Sequence, residues 1–452
     1  MNGISRVFIA NRGEIAIRII AACHDLGIET VLGVSEVERE SLAARKADRV
    51  ICIGPPHPAE SYLKVHTVIK AAIGTGCNAI HPGYGFLSER PEMGESCLEH
   101  GLVFIGPTPE NIRKMGDKLL AREIVGKLGI PLIPGSGLVN DFKEIDLEEI
   151  EFPILLKAAA GGGGKGMKIV ERSADLKRMF EEASAEARSA FGDDRMYAEH
   201  FIANARHVEV QILADRHGTT LHLFDRDCSL QRRFQKVVEE APAVGIPDEI
   251  RNRIRSAAIT IAKHIGYESV GTIETIFDED KGRFYFLEMN TRIQVEHPVT
   301  EMVTGINLVR EQIKIANGDR LDFDQENVRV RGHAMECRIN AETTEKNFQP
   351  CPGKIVAWKI PGGPNTRVDT HCFSGYLVTP YYDSLLAKLI THGSDRAEAL
   401  ARMRSALEEF IVTGIHTNIQ FLSDVMAHPD FIGGHINTRW LENLTTRMES
   451  NS

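Results

Sequence analysis

No CxxC pair and no cysteine and histidine cluster at zinc-binding spacing occurs in this chain, and its eight cysteines are scattered through 452 residues. That pattern excludes a disulfide framework and a structural zinc site and leaves buried, reduced thiols. Cys228, beside charged segments, is the one whose surroundings matter most. No apolar run approaches the roughly 18 residues of a membrane span, and Arg6, Arg12, Glu14 and Arg18 interrupt the N-terminal apolar pattern too early for a secretory signal. The expectation is a cytoplasmic protein with no membrane partner. Positive charge is not in excess: 53 Lys and Arg against 63 Asp and Glu give a formal charge of −10, so no bulk basic surface offers itself to nucleic acid. The common nucleotide signatures are missing as well. The first strand-to-helix turn reads NRGE rather than GxGxxG, and the later GGGGKG has Gly166 where a P-loop needs Ser or Thr. There is no internal repeat, low-complexity tract or long linker.

What is present is an ordinary globular composition, 42% hydrophobic, in a chain long enough for two or three domains. RVFIANR reads as a strand, and GEIAIRIIAACHDLG as a helix with Ile15, Ile19, Cys23 and Leu26 on one stripe and Gly27 at its stop. ETVLGVS, ADRVICIG, the helix around SYLKVHTVIKAAIG, and the strands NAIHPGYG and GLVFIGP continue that order, which predicts a doubly wound parallel sheet. HPGYGFLSE is a glycine-rich loop at a strand end, where such sheets place ligands. Tyr84 in it is either an aromatic plug over the sheet or a platform for a ring. Thr108 and Pro109 start a helical region that ends at Gly129. Lys118 opens its second part and is a solvated side chain unless a phosphate site lies nearby.

FPILLKAAAGGGGKGMKIVE reads as strand, glycine tip, strand. Such a tip is either a mobile turn or a lid whose bare amides close over phosphates at little steric cost; Lys157 ends the incoming strand. SADLKRMFEEASAEARSAFG is a helix with a solvated charged face. MYAEHFI and RHVEVQILADRHGTTLHLFDRD then begin an antiparallel sheet, with Glu199 ending one strand and His207, read as a structural histidine, beginning the next. CSLQRRFQKVVEEAP reads as a salt-laced surface loop setting Arg232, Arg233 and Lys236 against Glu239 and Glu240, unless an anion site claims its cations. Glu336 and Arg338 share one face of the strand VRGHAMECRINAE. The segments through Tyr382-Asp383-Ser384 stay rich in strands, and DRAEALARMRSALEEFIVTG is an amphipathic helix.

The most informative stretch is FYFLEMNTRIQVEHPVTE. Glu288, Asn290, Arg292, Gln294 and Glu296 recur at every second place, the spacing of a strand, with Leu287, Met289, Ile293 and Val295 expected on the opposite face. TIETIF, the polar turn DEDKG and RFYFLEM predict a hairpin that sets Glu274 diagonal to Glu288. Two carboxylates about 4 Å apart repel by roughly 4 kcal/mol at an effective dielectric near 20. Either the face is solvated, or one acid is protonated, or a hard divalent cation such as Mg²⁺ or Mn²⁺ sits between them with the Asn290 amide nearby.

IANRGEIAIR, HPGYGFLSE, the MGDK pair, LLKAAAGGGGKGM, RHVEVQ, RDCSLQRRFQKVVEEAP, EMNTRIQVEHPVTEM, RGHAMECRIN and PYYDS together resemble the biotin carboxylase family of the ATP-grasp fold, nearly end to end. The resemblance implies a multidomain α/β and α+β protein: a doubly wound parallel-sheet domain (1–113), a linking helix (114–129), an ATP-grasp lid with the glycine hairpin (130–202), and a C-terminal part (203–452) joining the antiparallel catalytic half to a β-rich region. It implies ATP with Mg²⁺ or Mn²⁺, bicarbonate, and biotin as a carrier-bound substrate. Lys118, Lys157 and the amides of Gly163 and Gly164 then hold phosphates, Glu274 and Glu288 hold metal with Asn290 as a further ligand, and Glu199, Ile202, His207 and Gln231 surround the adenosine. Arg292, Lys236, Gln294 and the Val295 amide hold bicarbonate, Glu296 takes its proton, Arg338 stabilises the biotin anion, and Tyr84 packs near the biotin ring.

The sequence departs from the family pattern at Phe234, usually His, and at His200, usually Lys; altered ATP affinity is the expected consequence. The stretch from Asn140 to Phe152 is also shorter than the family's. No biotinylated-lysine motif is found, Met167-Lys168 belonging to the lid hairpin, and no carboxyltransferase region is found. A separate biotin carboxyl carrier protein, separate carboxyltransferase subunits and a homodimer are therefore expected. Rival readings keep the fold but make another acyl phosphate, which Arg338 and HPGYGFLSE speak against, or treat the chain as a weakly catalytic nucleotide-binding subunit in which Phe234 marks decay.

Overall fold

The computed structural model describes residues 3–148, 150–159 and 167–444. The glycines of the GGGGKG tip, Gly163 and Gly164 among them, lie outside the described residues.

The N-terminal part is built as its periodicity dictates. Strands β1 (Arg6–Ile9), β2 (Glu29–Ser35), β3 (Arg49–Gly54), β4 (Ala79–His81) and β5 (Val103–Phe104) form one parallel sheet in the order β3-β2-β1-β4-β5. Helix α1 (Gly13–Asp25) buries Ile15, Ile19 and Cys23 against it. Gly27, at φ +70°, ends the helix in a conformation that costs other residues energy; its amide returns to the His24 carbonyl and that of Ile28 to Cys23. Short α2 (Leu42–Lys46), α3 (Val65–Gly74) and α4 (Pro91–Glu99) complete the layer.

At the Thr108-Pro109 start, the Thr108 hydroxyl accepts from the Asn111 amide at 3.1 Å and opens α5 (Pro109–Gly116). The helix does not run on to Gly129 unbroken. Asp117 leaves helical geometry and its carboxylate accepts from the amides of Leu119 and Leu120 at 3.0 Å, capping a new helix, α6 (Lys118–Lys127). Lys118 thereby stands at a helix start, facing inward toward the next part of the chain.

Strands β6 (Ile154–Ala158), β7 (Met167–Val170) and β8 (Met196–His200) make a small antiparallel sheet in the order β7-β6-β8. Helix α7 (Ser173–Phe191) lays Leu176, Phe180, Ala183 and Ala187 on Ile154, Leu156 and Val170. The larger, eight-stranded antiparallel sheet runs in space from β13 (Arg283–Asn290) through β12 (Ser269–Asp278), β9 (Ala205–Ala214), β10 (Thr220–Arg232), β11 (Gln235–Ala241) and β14 (His333–Asn340) to the strands Leu385–Gly393 and Thr366–Thr370. Along β9 the apolar residues Val208, Val210 and Ile212 alternate with His207, Glu209 and Gln211. The apolar set packs with Ile250, Ile254, Ala258 and Ile261 of helix α8 (Asp248–His264), each such side chain contributing about 1.5–3 kcal/mol on burial. The polar set is left for the other face.

The structure corrects several local expectations. The strand ends at Asn290, so the polar row is not one ribbon: residues 291–296 leave the sheet as an irregular turn before α9 (His297–Thr304), where Pro298 in the first helical turn and Glu296 at the N-cap fix a new direction. Glu274 pairs directly across from Glu288 rather than diagonally, because a bulge sets Thr275 opposite Phe286 and leaves Leu287 as the extra residue. That bulge also turns Leu287 to the polar side, where it lines the cavity with Glu288. CSLQRRFQKVVEEAP is not a loop throughout: its flanks are the buried strands β10 and β11, and only the hairpin tip, with Arg233 and Phe234 at φ +50° and +62°, is exposed. The C-terminal helix α11 (Arg396–Glu409), which follows α10 (Leu308–Asn317), stops short of the predicted end, and β-branched Ile411, Val412 and Thr413 form a strand instead. Helices α4, α8 and α10 were not anticipated.

Candidate functional site

Between the small sheet and the polar face of the large one lies a cavity of about 680 Å³. Lys118, Lys157, Glu199, Ile202, His207, Gln231, Lys236, Glu274, Glu288, Asn290, Arg292, Gln294, Val295, Arg338 and Tyr84 all line it. These residues come from α6, both sheets, the link between β8 and β9, the 291–296 turn and the glycine-rich loop after β4. Glu296 is 0% exposed and reaches the same cluster from behind. The departures are there too: Phe234 at the hairpin tip and His200 both line the cavity, and His200 Nδ1 lies 3.0 Å from the Glu151 carbonyl.

The cations are held by carboxylates. Lys236 contacts Glu209, Glu274 at 3.0 Å and Glu296 at 2.7 Å, not Glu239 or Glu240 as the local sequence predicted. Arg338 donates through Nε to Glu239 at 2.7 Å and through Nη2 to Glu296 at 3.0 Å, so Glu296 is shared between Lys236 and Arg338. Glu240 turns away to His333 and Arg396. Arg292 donates to Glu89 at 2.8 Å and to the side-chain Oδ1 of Asn290 at 3.0 Å. Lys157 is paired with Glu199, which also binds Arg122 at 2.8 Å. His207 accepts through Nδ1 from the Gln231 side-chain Nε2 at 2.7 Å, while its Nε2 sits 3.1 Å from Glu274 without the alignment of a hydrogen bond.

These contacts decide the charge states. Burial works against the Glu274 charge, but Lys236 and His207 outweigh it and hold the carboxyl well below its ordinary range. Asn290 and Gln294 also donate to it, at 2.7 and 3.0 Å. Glu296 is likewise lowered against its burial, by Lys236, Arg338 and Arg226. Lys236 stays charged despite burial because three carboxylates surround it. Glu288 goes the other way: burial and the facing Glu274 charge push its carboxyl up. Glu239 is pushed up to about 7 by burial and by Glu296, with Arg338 pulling back. The repulsion between Glu274 and Glu288 is what a divalent cation would relieve, so the two carboxylates fit Mg²⁺ or Mn²⁺, with the Asn290 Oδ1, here accepting from Arg292, as the further oxygen donor.

Sequence reasoning missed part of this cluster. Glu209 alternates with Val208 and Val210 in RHVEVQ, the same period of two that singled out Glu288 and Asn290, so its signal was present. Glu239 was noticed only as a surface partner. Glu89 and Arg226 stand at the ends of HPGYGFLSE and RDCSLQRRFQKVVEEAP, but nothing local assigns them partners, and Arg122 carries no signal at all; Glu89 meets Arg292 203 residues away and Arg122 meets Glu199 77 residues away.

Comparison with known proteins places this geometry. Three family profiles match in succession: "Biotin carboxylase, N-terminal domain" over residues 3–112, "Carbamoyl-phosphate synthase L chain, ATP binding domain" over 117–324, and "Biotin carboxylase C-terminal domain" over 336–443. The biotin carboxylase of Nostoc sp. is 49% identical over 97% of this chain and 99% of its own length, and biotin carboxylase 1 of Bacillus subtilis is 49% identical over 97% and 98%. Among solved structures, the biotin carboxylase βγ-ATP complex from Campylobacter jejuni superposes with a TM-score of 0.94 at 44% identity, covering 97% of this chain and 99% of that one. The biotin carboxylase domain dimer of Hydrogenobacter thermophilus 2-oxoglutarate carboxylase, holding MgADP, ADP and bicarbonate, does so with 0.94 at 45%, covering 98% of each. With matches of this extent on top of a cavity that gathers the same residues the motifs singled out, the chain belongs to the biotin carboxylase family.

Proposed function

We propose that this chain carries out the first half-reaction of a biotin-dependent carboxylase: ATP phosphorylates bicarbonate, and the carboxyl group passes to a ring nitrogen of biotin carried on a separate protein. It is thereby a ligase, forming a C–N bond at the expense of ATP. The observation that carries this reading is Glu296, a buried base shared by Lys236 and Arg338, directly behind the cavity that Arg292, Lys118, Lys157 and the Glu274/Glu288 pair line.

Each residue's part follows from its chemistry. Lys118 and Lys157 offer point charges to phosphate oxygens, and Lys157 exchanges its Glu199 partner to do so. Glu274, Glu288 and Asn290 would hold the Mg²⁺ or Mn²⁺ ion, which neutralises phosphate charge. Ile202, His207, Gln231 and Glu199 form the adenosine side of the cavity, with the Gly163 and Gly164 amides assigned to phosphate from the family motif. Arg292 exchanges Glu89 and Asn290 for a planar oxyanion, which its fork of parallel donors matches, with Lys236, Gln294 and the Val295 amide completing the shell. Glu296 accepts the bicarbonate proton. As an oxyanion takes donors from Lys236 and Arg338, Glu296 keeps fewer of them and its basicity rises toward that task. Arg338, preorganised on β14, stabilises the anion left when biotin loses its ureido proton, and Tyr84 walls that side.

The division into 1–113, 114–129, 130–202 and 203–452 is proposed as the working domain scheme. A carrier protein and carboxyltransferase subunits are the proposed partners, and a homodimer the proposed assembly, as in the Hydrogenobacter dimer structure. A cytoplasmic location fits eight cysteines that are all unpaired; among the described residues no helix is long and apolar enough to cross a membrane. The test is ADP release by the purified protein. It should require bicarbonate and rise further with free biotin or a biotinyl carrier. Release that depends instead on ammonia or an amine, or nucleotide binding without turnover, would overturn the reading.

A further inference from the structure

Lys388 is 0% exposed, lies on the strand Leu385–Gly393 directly opposite Arg338 of β14, and has none of the roles assigned so far. A lysine so placed costs several kcal/mol in desolvation unless its charge is matched, and an aliphatic side chain would fill the same space without that cost. Its contacts account for the choice. Nζ donates to the Val295 carbonyl at 3.0 Å and lies 3.0 Å from Glu14 of α1. Glu14, also buried, accepts from the Tyr84 hydroxyl. Asp369 stands behind at 3.8 Å, itself gripped by Arg367. Glu336 of β14, its carboxyl pushed well above the ordinary range by burial, also faces Lys388 from the sheet.

Val295 and Tyr84 both line the cavity. The peptide that Lys388 holds joins Val295 to Glu296, in a turn that has left the sheet and lost its ladder hydrogen bonds. We infer that the buried Lys388–Glu14 pair is a positioning device that ties the bicarbonate wall, through the Val295 carbonyl, to the biotin wall, through Tyr84. The inference rests on the function proposed above. One cation thereby fixes the turn leading into the base and the aromatic ring at once, so occupancy of one wall is felt at the other.

The experiment uses the full chain and three variants, with ADP release measured against bicarbonate, ATP and free biotin. Lys388→Met keeps the bulk and removes the donor. Its KM for bicarbonate should rise about tenfold and biotin should no longer stimulate ADP release, while KM for ATP stays within about twofold. Glu14→Leu combined with Lys388→Met removes both buried charges, which is often neutral for stability. This double variant should recover the wild-type melting temperature yet keep the raised bicarbonate KM, a separation that a merely structural pair would not give. Tyr84→Phe removes only the last link and should lower biotin stimulation more than it raises the bicarbonate KM. If the wild type responds to bicarbonate while the Lys388→Met bicarbonate KM is unmoved, or if the double variant regains KM together with stability, or if KM for ATP moves equally, the coupling is wrong. A wild-type protein indifferent to bicarbonate would overturn the function reading and this inference with it.

Discussion

The small sheet with α7 and the polar face of the large sheet use the same residue types for opposite ends. On α7 and β7, Lys168 meets Glu182 at 3.2 Å and Glu186 at 2.8 Å, with those carboxylates 45% and 57% exposed. On the large sheet Lys236 meets three glutamates that are at most 6% exposed. In water the first cluster is screened and its members are replaceable one by one. In the sheet interior the charges hold one another in place, and removing one leaves the others uncompensated. Motif spacing looks alike in both places; burial separates a solvated face from a reactive site.

The largest break in that contrast comes from Lys236→Met, which takes from Glu209, Glu274 and Glu296 the one cation they share. Denaturant unfolding should show a loss of about 3–5 kcal/mol, and bicarbonate-dependent ADP release should vanish. A variant with near wild-type stability would mean that the cluster is solvated like the one on α7.

A smaller effect sharpens the comparison through pH. Glu239 has its carboxyl raised to about 7 in the folded protein against 4.5 for the ordinary side chain, so the folded state binds the extra proton. Its contribution to stability is complete below about pH 4.5 and is lost as pH rises through about 7. Melting temperature should therefore fall between pH 6 and pH 8, and Glu239→Gln, which mimics the protonated form, should flatten that fall. An unchanged slope would place the titration elsewhere. The smallest effect is expected for Lys168→Ala, whose melting temperature should stay within experimental error of wild type; a clear loss would show that the α7 cluster is more than a solvated face.

Much of the fold was legible because local chemistry decides it. Thr108 and Pro109 start a helix, Gly27 ends one, and the apolar stripe Ile15, Ile19, Cys23 needs only a sheet to cover it. The site was legible where polar residues alternate on a strand, as at Glu288 and Asn290. The same rule pointed wrongly beyond Asn290: the irregular turn brings Val295 to the cavity beside Gln294 instead of to the opposite face, and only Pro298 hinted at the change. The bulge at Leu287 has no sequence signature, so the direct Glu274 and Glu288 pairing could not be read. Lys388, and the partner of Glu89 at the end of HPGYGFLSE, were unreadable for a different reason: each acquires meaning from partners that only the tertiary fold brings near.

The central claim is that Glu296 serves two cations with separate tasks, Lys236 for bicarbonate and Arg338 for biotin. It is tested most directly by measuring, on Arg338→Ala, bicarbonate-dependent ADP release and carboxybiotin formation in the same samples. The account predicts that carboxybiotin formation falls by about 10²-fold or more while ADP release falls far less. Equal loss of both would contradict it.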